Sequence, residues 1–317
     1  MSARARVFAV VGAAAVLVAG ATAGVAWLQA RGETTTAALH PRAGVPPLLF
    51  DFGLRNDAES KALANGAKLL RDGKRARAAA IFGRYHSLQA QLGAAFAKWP
   101  DLDDVESLAA HNPASPVAQL HLGLALVWAG RNTDGVKTLR QVQSRFPDSQ
   151  SAVDAESVLY ARDFPGLPYL IIPVSPPSAS TLARQVQLAA RAAKRGGAQA
   201  QLVYGVMLWR LDHRVSARRW LEAAARREPN PYTLTAAAVS AFTKRNPTAA
   251  FARLGPLTGR FPQAAVVRFH LGLLLLWTRQ VQKGTEQLRL VVKSDPDSLY
   301  AKEATRLLSA LVPNGTK

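Results

Sequence analysis

The side chains that could carry chemistry in this sequence are few. Six histidines are present, but they form neither the HExxH pattern of a zinc protease nor any other metal-binding set. His121 and His270 occupy equivalent places in two copies of one octet, HLGLALVW at 121–128 and HLGLLLLW at 270–277. A histidine that recurs at one place in an apolar helical stretch is typical of core packing. We therefore interpret both as structural residues.

The other candidates for chemistry also have simpler explanations. Acidic residues cluster at 101–106, directly after Pro100, where the positive end of a helix dipole favours negative charge. Asp51-Phe52-Gly53 matches a kinase triplet, but no glycine-rich loop or catalytic loop accompanies it. The sequence has no cysteine and contains no P-loop, EF-hand or GxSxG motif. We predict no catalytic residue, no bound metal and no cofactor, and hence a protein that is not an enzyme.

Positive charge is concentrated in the second half of the chain. Residues 180–317 carry 22 Lys and Arg against 7 Asp and Glu, whereas residues 31–179 carry 16 against 14. An arginine-rich genome would produce such an excess, and so would a surface that meets polyanions; both interpretations stay open. The candidate basic surface consists of Arg191, Lys194, Arg195, Arg214 and Arg218. Its partners would be an anionic wall polymer or lipid headgroups, and nucleic acid only if the chain faces the cytoplasm.

The elements that must position these residues are repeated helices. The two octets stand 149 positions apart, and each is followed at the same distance by Pro-Asp-Ser, at 147–149 and 296–298. A finer period is visible in Pro229, Pro262 and Pro296, which are 33 and 34 positions apart. Small residues and leucines at fixed helical spacing predict two antiparallel helices per unit, and such units must stack to bury their apolar faces.

These segments resemble the tetratricopeptide repeat, a helix pair that recurs about every 34 residues. The matching positions of the clearest unit are Leu122, Gly123, Leu126, Gly135, Leu139 and Pro147. Equivalent matches lie in 271–296, from Tyr204 to Pro229, in 231–264 and in 65–82, although the first-position tryptophan of the family is missing throughout. The tail at 296–304 is also similar to repeats of bacterial cell-envelope assembly and cell-division coordinator proteins.

The repeats predict an all-α fold: an antiparallel helix-pair (tetratricopeptide-like) solenoid in two arrays, preceded by one N-terminal transmembrane helix. Prolines between residues 163 and 179 forbid a continuous helix there and separate the arrays. The predicted domains are a signal-anchor or transmembrane helix at 1–30, a tether at 31–56, a first array at 57–162, a proline-rich linker at 163–179, and a second array with a C-terminal cap helix at 180–313.

The N-terminal stretch has the length of a membrane span. Residues 7–30 contain no charged side chain, and Arg4 and Arg6 precede them. An uncleaved anchor fits this length, and a signal peptide cleaved after Ala21-Thr22-Ala23 is the alternative. In either case the arginines stay inside. We therefore expect a single-pass protein of the bacterial cytoplasmic membrane whose bulk is extracytoplasmic.

The family resemblance implies that the first helix of each unit lines a concave surface that binds a protein or peptide. In the second array the partner-binding residues would be Leu202, Val206, Trp209, Arg210, Tyr232, Val239, Phe242, Phe269, Leu273 and Trp277. This surface could be open, or it could be filled by the cap helix or by residues 164–179. The predicted function is a membrane-anchored, non-enzymatic scaffold at the cell envelope, and the alternative is a basic module that binds anionic polymer or lipid.

Overall fold

The computed structural model describes residues 44–161 and 163–311. Within these ranges the regular secondary structure is α-helix, without a strand, which confirms the all-α class. The helices are α1 (Ala58–Arg71), α2 (Arg75–Phe82), α3 (Leu88–Ala97), α4 (Asp103–His111), α5 (Pro116–Trp128), α6 (Asn132–Arg145), α7 (Gln150–Leu159), α8 (Leu182–Arg195), α9 (Ala198–Arg210), α10 (Arg214–Arg227), α11 (Pro231–Ser240), α12 (Thr248–Arg260), α13 (Ala265–Trp277), α14 (Val281–Ser294) and α15 (Leu299–Leu311).

Contacts divide the chain into two units. One of them comprises Leu39–Thr305, and of the other the structure describes residues 306–311. The packing described below lies within Leu39–Thr305. Across the described ranges no helix has the length and apolar content needed to cross a bilayer. The predicted transmembrane helix at 1–30 lies outside the described residues.

Helix pairs are the unit of packing. Pairs form between α1 and α2, α3 and α4, α5 and α6, α9 and α10, α11 and α12, and α13 and α14, and the first helices of successive pairs also touch within each array. Helix α7 packs on α5 and α6, while α8 packs on α9. The pair α3–α4 was not predicted as a unit, because Gly93 is followed after sixteen residues by Ala109 instead of the usual leucine.

Close contact within a pair depends on glycine. A Cβ on Gly123 of α5 would lie 2.8 Å from Leu139 of α6, and a Cβ on Gly135 of α6 would lie 2.6 Å from Val127 of α5. Real Cβ atoms do not approach so closely, so the two backbones can only meet where glycine stands. The equivalent glycines of α13 and α14 make the same contacts. This explains why both residues recur in the two copies.

The repeated Pro-Asp-Ser motif is a helix start. The Ser149 hydroxyl accepts a hydrogen bond from the backbone N–H of Ala152 (3.2 Å), and Ser298 does the same for Ala301 (3.0 Å). A serine at this position satisfies one of the backbone donors that the first helical turn leaves unpaired. The motif therefore fixes the beginning of α7 and of α15, the helices that follow the two octet-bearing pairs.

The end of the predicted tether (31–56) packs against the first helices of the chain. Residues 45–52 are extended, and Val45, Leu48, Phe50 and Phe52 pack against the core formed by α1–α5. Two prolines, at 46 and 47, keep this backbone extended and outside any helix. Because the apolar residues of the segment find an apolar helical surface within reach, they are buried against it.

Candidate functional site: two grooves filled by the chain

A buried histidine holds an extended segment in the first array. We call residues 45–52 the first strap and the helical surface beneath it, formed mainly by α3 and α5, the first groove. The backbone N–H of Leu49 donates to Nε2 of His121 (3.2 Å), while Nδ1–H of the same ring donates to the Val117 carbonyl (2.7 Å). The ring of Phe50 lies 5.7 Å from the imidazole, centroid to centroid. His121 is therefore bonded on both nitrogens.

The second array repeats this arrangement. We call residues 164–174 the second strap and the surface of α9, α13 and α15 beneath it the second groove. The backbone N–H of Ile171 donates to Nε2 of His270 (3.0 Å), and Nδ1–H of His270 donates to the Val266 carbonyl (2.7 Å). The two histidines are repeat equivalents, and each binds one peptide N–H of a segment far away in the sequence.

The two straps share a sequence pattern when they are aligned on the bonded N–H. A proline stands three residues before it, Pro46 or Pro168, and a leucine stands directly before it, Leu48 or Leu170. The bonded residue is Leu49 or Ile171, and an apolar residue precedes the proline and follows the bonded residue in both straps. The shared pattern is thus apolar–Pro–any–Leu–Leu/Ile–apolar.

The protonation state of both histidines follows from their surroundings. Neither ring is exposed, and burial lowers the pKa of His121 and of His270 to about 4. The carbonyl bonded to Nδ1 fixes the proton there, so Nε2 presents a lone pair to the strap. A neutral imidazole in this state is an acceptor for a peptide N–H.

The second groove binds its strap with additional groups. The indole Nε1–H of Trp209 donates to the Pro168 carbonyl (2.8 Å), and the Tyr300 hydroxyl donates to the Ile171 carbonyl (3.1 Å). The ring of Trp277 lies 5.3 Å from Phe164 and 5.2 Å from Tyr169, centroid to centroid. This surface thus satisfies peptide N–H and C=O groups and supplies aromatic contacts to the side chains.

The predicted partner-binding residues of the second array are mostly in the interior. Those less than a tenth exposed are Leu202, Val206, Trp209, Val239, Phe242, Phe269, Leu273 and Trp277. Tyr232 is 41% exposed, and Arg210 is exposed. Trp209 and Trp277 contact the second strap. Of the alternatives left open by the sequence, a groove filled by residues 164–179 is the one observed.

The predicted basic residues are divided between two environments. Arg191, Lys194 and Arg195 are exposed at the end of α8. Arg214 has only 14% of its side chain exposed and lies 2.6 Å from the Glu156 carboxylate. Arg218 forms a salt bridge with Glu222 of its own helix at 2.9 Å. The spacing of Arg214 and Arg218 did not reveal that both have acidic partners, one of them 58 positions away.

A polar seam joins α7 to the second array. The buried Glu156 carboxylate binds Arg214 and also accepts from the backbone N–H of Lys244 (3.1 Å). The Lys244 ammonium donates to the Ser157 hydroxyl (2.7 Å), and burial lowers the pKa of Lys244 to about 8. These bonds connect residues that lie 58 to 88 positions apart, so the seam fixes the two arrays against one another within Leu39–Thr305.

Two carboxyl groups near this seam have pKa values that are raised toward neutral pH. Burial and the nearby Asp212 and Asp51 carboxylates raise the pKa of Asp154 to about 7. Burial and Asp51 likewise raise the pKa of Asp212 to about 6. Asp51 is the penultimate residue of the first strap, so the strap ends beside a group of like charges. No cluster of three or more His, Asp or Glu side chains able to hold a metal is found among the described residues.

The role of the two histidines was missed at the level of the sequence, where both were interpreted as packing residues. The available signal was the recurrence of the longer pattern apolar–Pro–any–Leu–Leu/Ile–apolar at 45–50 and at 167–172, alongside the recurrence of the histidines themselves. Either recurrence alone fits packing. Only their pairing in space, across 72 and 99 positions, assigns the imidazole to the strap.

Comparison with known proteins agrees with the repeat architecture. Residues 117–149 match the family model of the tetratricopeptide repeat, which confirms the predicted resemblance at the clearest unit. No curated protein matches the chain. The crystal structure of the yeast Tom70 is similar to this chain with 13% identity, 87% of this chain and 68% of that chain covered, and a TM-score of 0.31.

Proposed function

We propose that this chain of tetratricopeptide-type helix pairs is a non-enzymatic scaffold that binds an extended segment of a protein partner. The observation that carries the proposal is the buried histidine that bonds one peptide N–H of an extended segment in the same register in both arrays. A surface that satisfies backbone groups and offers apolar sites to alternate side chains is suited to recognise extended peptides.

Position-specific photo-crosslinking in the full-length chain tests this proposal. A photoreactive residue would replace Gln89, whose side chain donates to the Asp51 carbonyl of the first strap (3.3 Å), or the exposed Tyr232 beside the second strap. Arg140 and Arg289, exposed repeat equivalents on α6 and α14, provide matched controls on the second helices of their pairs. We expect adducts to one linear segment of a partner from at least one groove position and none from the two control positions. Equal adducts from all four positions, or none, would reject the scaffold proposal.

The proposed location is the outer face of a bacterial cytoplasmic membrane. Support comes from the uncharged stretch at 7–30 behind Arg4 and Arg6. The test is protease treatment of intact spheroplasts that express the chain with a C-terminal tag. Loss of the tag, with a cytoplasmic control protein intact, is the expected result. A protected tag would place the bulk of the chain in the cytoplasm and overturn this part of the proposal.

A second candidate function is binding of anionic polymer or lipid headgroups. It is favoured by the convergence of α8 and α10, because the Arg227 guanidinium lies 3.6 Å from where a Cβ on Gly196 would stand, close to the exposed Lys194 and Arg195. Attraction between exposed charges is screened by salt. Sedimentation of the full-length chain with anionic polymer should therefore fall steeply from low to moderate salt. Binding that is insensitive to salt would exclude this function.

A further inference from the structure

The two straps are bound with unequal numbers of hydrogen bonds. In the second groove, Trp209, His270 and Tyr300 each bond a backbone group of the strap. In the first groove, the side-chain hydrogen bonds to residues 45–52 from the described part of the chain are that of His121, which accepts from Leu49, and a longer one, 3.3 Å, from Gln89 to the Asp51 carbonyl. The first strap therefore loses fewer bonds when it leaves its groove.

Burial of the strap side chains follows the same order. Leu170 and Ile172 of the second strap are 5% and 3% exposed. Their equivalents in the first strap, Leu48 and Phe50, are only partly buried. A strap is bound more strongly when more of its apolar area is removed from water. The first strap is therefore bound to its groove more weakly than the second strap is bound to its own.

The straps also differ in how they are joined to the helices. The second strap lies between α7 and α8, so folded elements hold both of its ends. The first strap is joined to α1 by residues 53–57, all of which are exposed. Repulsion between Asp51 and the Asp154 and Asp212 carboxylates acts at the same end of the strap.

We propose that the first groove is a peptide site with an exchangeable occupant, whereas the second strap is a fixed part of the fold. The occupant that replaces the first strap is an extended partner segment with the pattern apolar–Pro–any–Leu–Leu/Ile–apolar. Proline presets the extended backbone, leucine enters the apolar surface, and the next residue supplies the N–H that His121 accepts. This proposal rests on the scaffold function and names the partner class and the groove.

The pattern follows from the groove chemistry and from two observed examples. Nε2 of His121 is an acceptor only, so the residue above it needs an N–H and cannot be proline. An imidazole buried without another partner for Nε2 would lose a hydrogen bond. A peptide of this kind would restore the hydrogen bond that Nε2 of His121 loses when the first strap leaves.

The test uses the labelled peptide GLPYLIIPV, the sequence of residues 166–174, and the full-length chain in mild detergent. Fluorescence anisotropy measures binding, with protein-free detergent as the blank. Leu49→Pro removes the N–H that His121 accepts, weakens the first strap and should tighten peptide binding by about three- to tenfold. Ile171→Pro, the matched change in the second strap, should give no such gain. His121→Leu should abolish binding, and a peptide with proline in place of Ile171 should not bind.

Leu48→Ala provides a second way to weaken the first strap without touching the hydrogen bond, and it should tighten binding in the same direction. Circular dichroism shows whether each variant is folded. Peptide binding that is unchanged by Leu49→Pro and Leu48→Ala, or that is lost in His270→Leu but kept in His121→Leu, would overturn the assignment to the first groove. Absence of binding to the folded Leu48→Ala chain would overturn the peptide pattern. If groove-specific photo-crosslinks persist in that case, the scaffold function stands and this inference alone fails.

Discussion

The first and second grooves carry the same histidine and differ in what surrounds it. Both imidazoles are bonded on both nitrogens and accept one backbone N–H of a strap. Around His270, an indole and a phenol bond two further carbonyls, and Leu170 and Ile172 of the strap are buried. Around His121, the equivalent Leu48 and Phe50 are only partly buried.

The groups that set the register of a bound strap are thus different from those that set how strongly it is bound. The duplicated part is a histidine that accepts a hydrogen bond from one peptide N–H. It defines where an extended chain can bind and in which register. The parts that are not duplicated, Trp209 and Tyr300 with their hydrogen bonds, decide how firmly that chain is bound. A repeat protein can thus keep one site filled as part of its core and leave its copy available for exchange.

The largest expected effect contrasts Leu170→Ala with Leu48→Ala. Leu170 is 5% exposed, so its truncation leaves a cavity and should destabilise the fold by about 2–4 kcal/mol. Leu48 is partly exposed, and its truncation should cost about 1 kcal/mol or less. Urea unfolding of the full-length chain measures both. Equal losses would remove the energetic distinction between the two straps.

The histidines should produce a pH dependence. Replacing His270 by leucine removes the acceptor for the Ile171 N–H and should cost about 1–3 kcal/mol at pH 7.5. The pKa of His270 is lowered to about 4 by burial, so the unfolded chain binds the proton first. The stability that neutral histidine contributes is therefore lost as pH falls from about 6.5 to about 4, and the deficit of the variant should shrink at pH 5.

His121→Leu is the matched comparison, with the same sign and a smaller deficit at pH 7.5, because the first strap makes fewer contacts. Unfolding curves at both pH values for the two variants and the unsubstituted chain provide the measurement. A deficit that grows on acidification would contradict the assignment of neutral, buried imidazoles.

The seam offers a change that should stabilise the protein. Burial and the carboxylates of Asp212 and Asp51 raise the pKa of Asp154 to about 7, so this group is protonated in the fold at pH 5 and ionised at pH 8. Stability from the protonated group is present at low pH and is lost as pH rises through about 7. Because this loss begins near the unfolded pKa of about 4, Asp154→Asn should stabilise by on the order of 1–2 kcal/mol at pH 8, after allowance for solvent screening, and by less than half of that at pH 5.

The same substitution also bears on the first strap. With Asp154 neutral, Asp51 loses a repelling neighbour, so the strap should be held more firmly at pH 8. Binding of the peptide GLPYLIIPV to Asp154→Asn should weaken relative to the unsubstituted chain at pH 8 and match it at pH 5. A stabilisation of similar size at both pH values would show that ionisation of Asp154 is not its cause.

The smallest effect concerns the turns within equivalent helix pairs. Gly130 of the first array and Arg279 of the second both have left-handed backbone, with φ of 84° and 61°. Glycine adopts this conformation freely, whereas an arginine is strained there. Arg279→Gly should stabilise by up to about 1 kcal/mol, while Gly130→Ala should destabilise by about 1 kcal/mol. Thermal unfolding measures the change in Tm for both variants. Changes of the same sign would contradict the prediction.

Much of the fold could be predicted because its signals are local or periodic. Gly123 and Leu139, sixteen residues apart, predict a helix pair whose two helices are in contact at these residues. Ser149 predicts a helix start. The pair α3–α4 lacked the leucine and was missed, although Gly93 still packs against Phe82. The candidate site was harder to predict, because Trp209 of α9 and Phe242, which follows α11, were predicted to line a binding surface and are buried in the structure.

By itself the sequence determined which residues recur and therefore which helices pair, since helix period, capping and glycine contacts act over short distances. It also contains the six-residue strap pattern twice, at 45–50 and 167–172, and the octet histidine twice, as His121 and His270. The tertiary structure alone decided that each segment crosses a histidine and that Arg214 meets Glu156. Such partners lie 58 to 99 positions apart, and their meeting depends on the path of the whole chain, which no local spacing encodes.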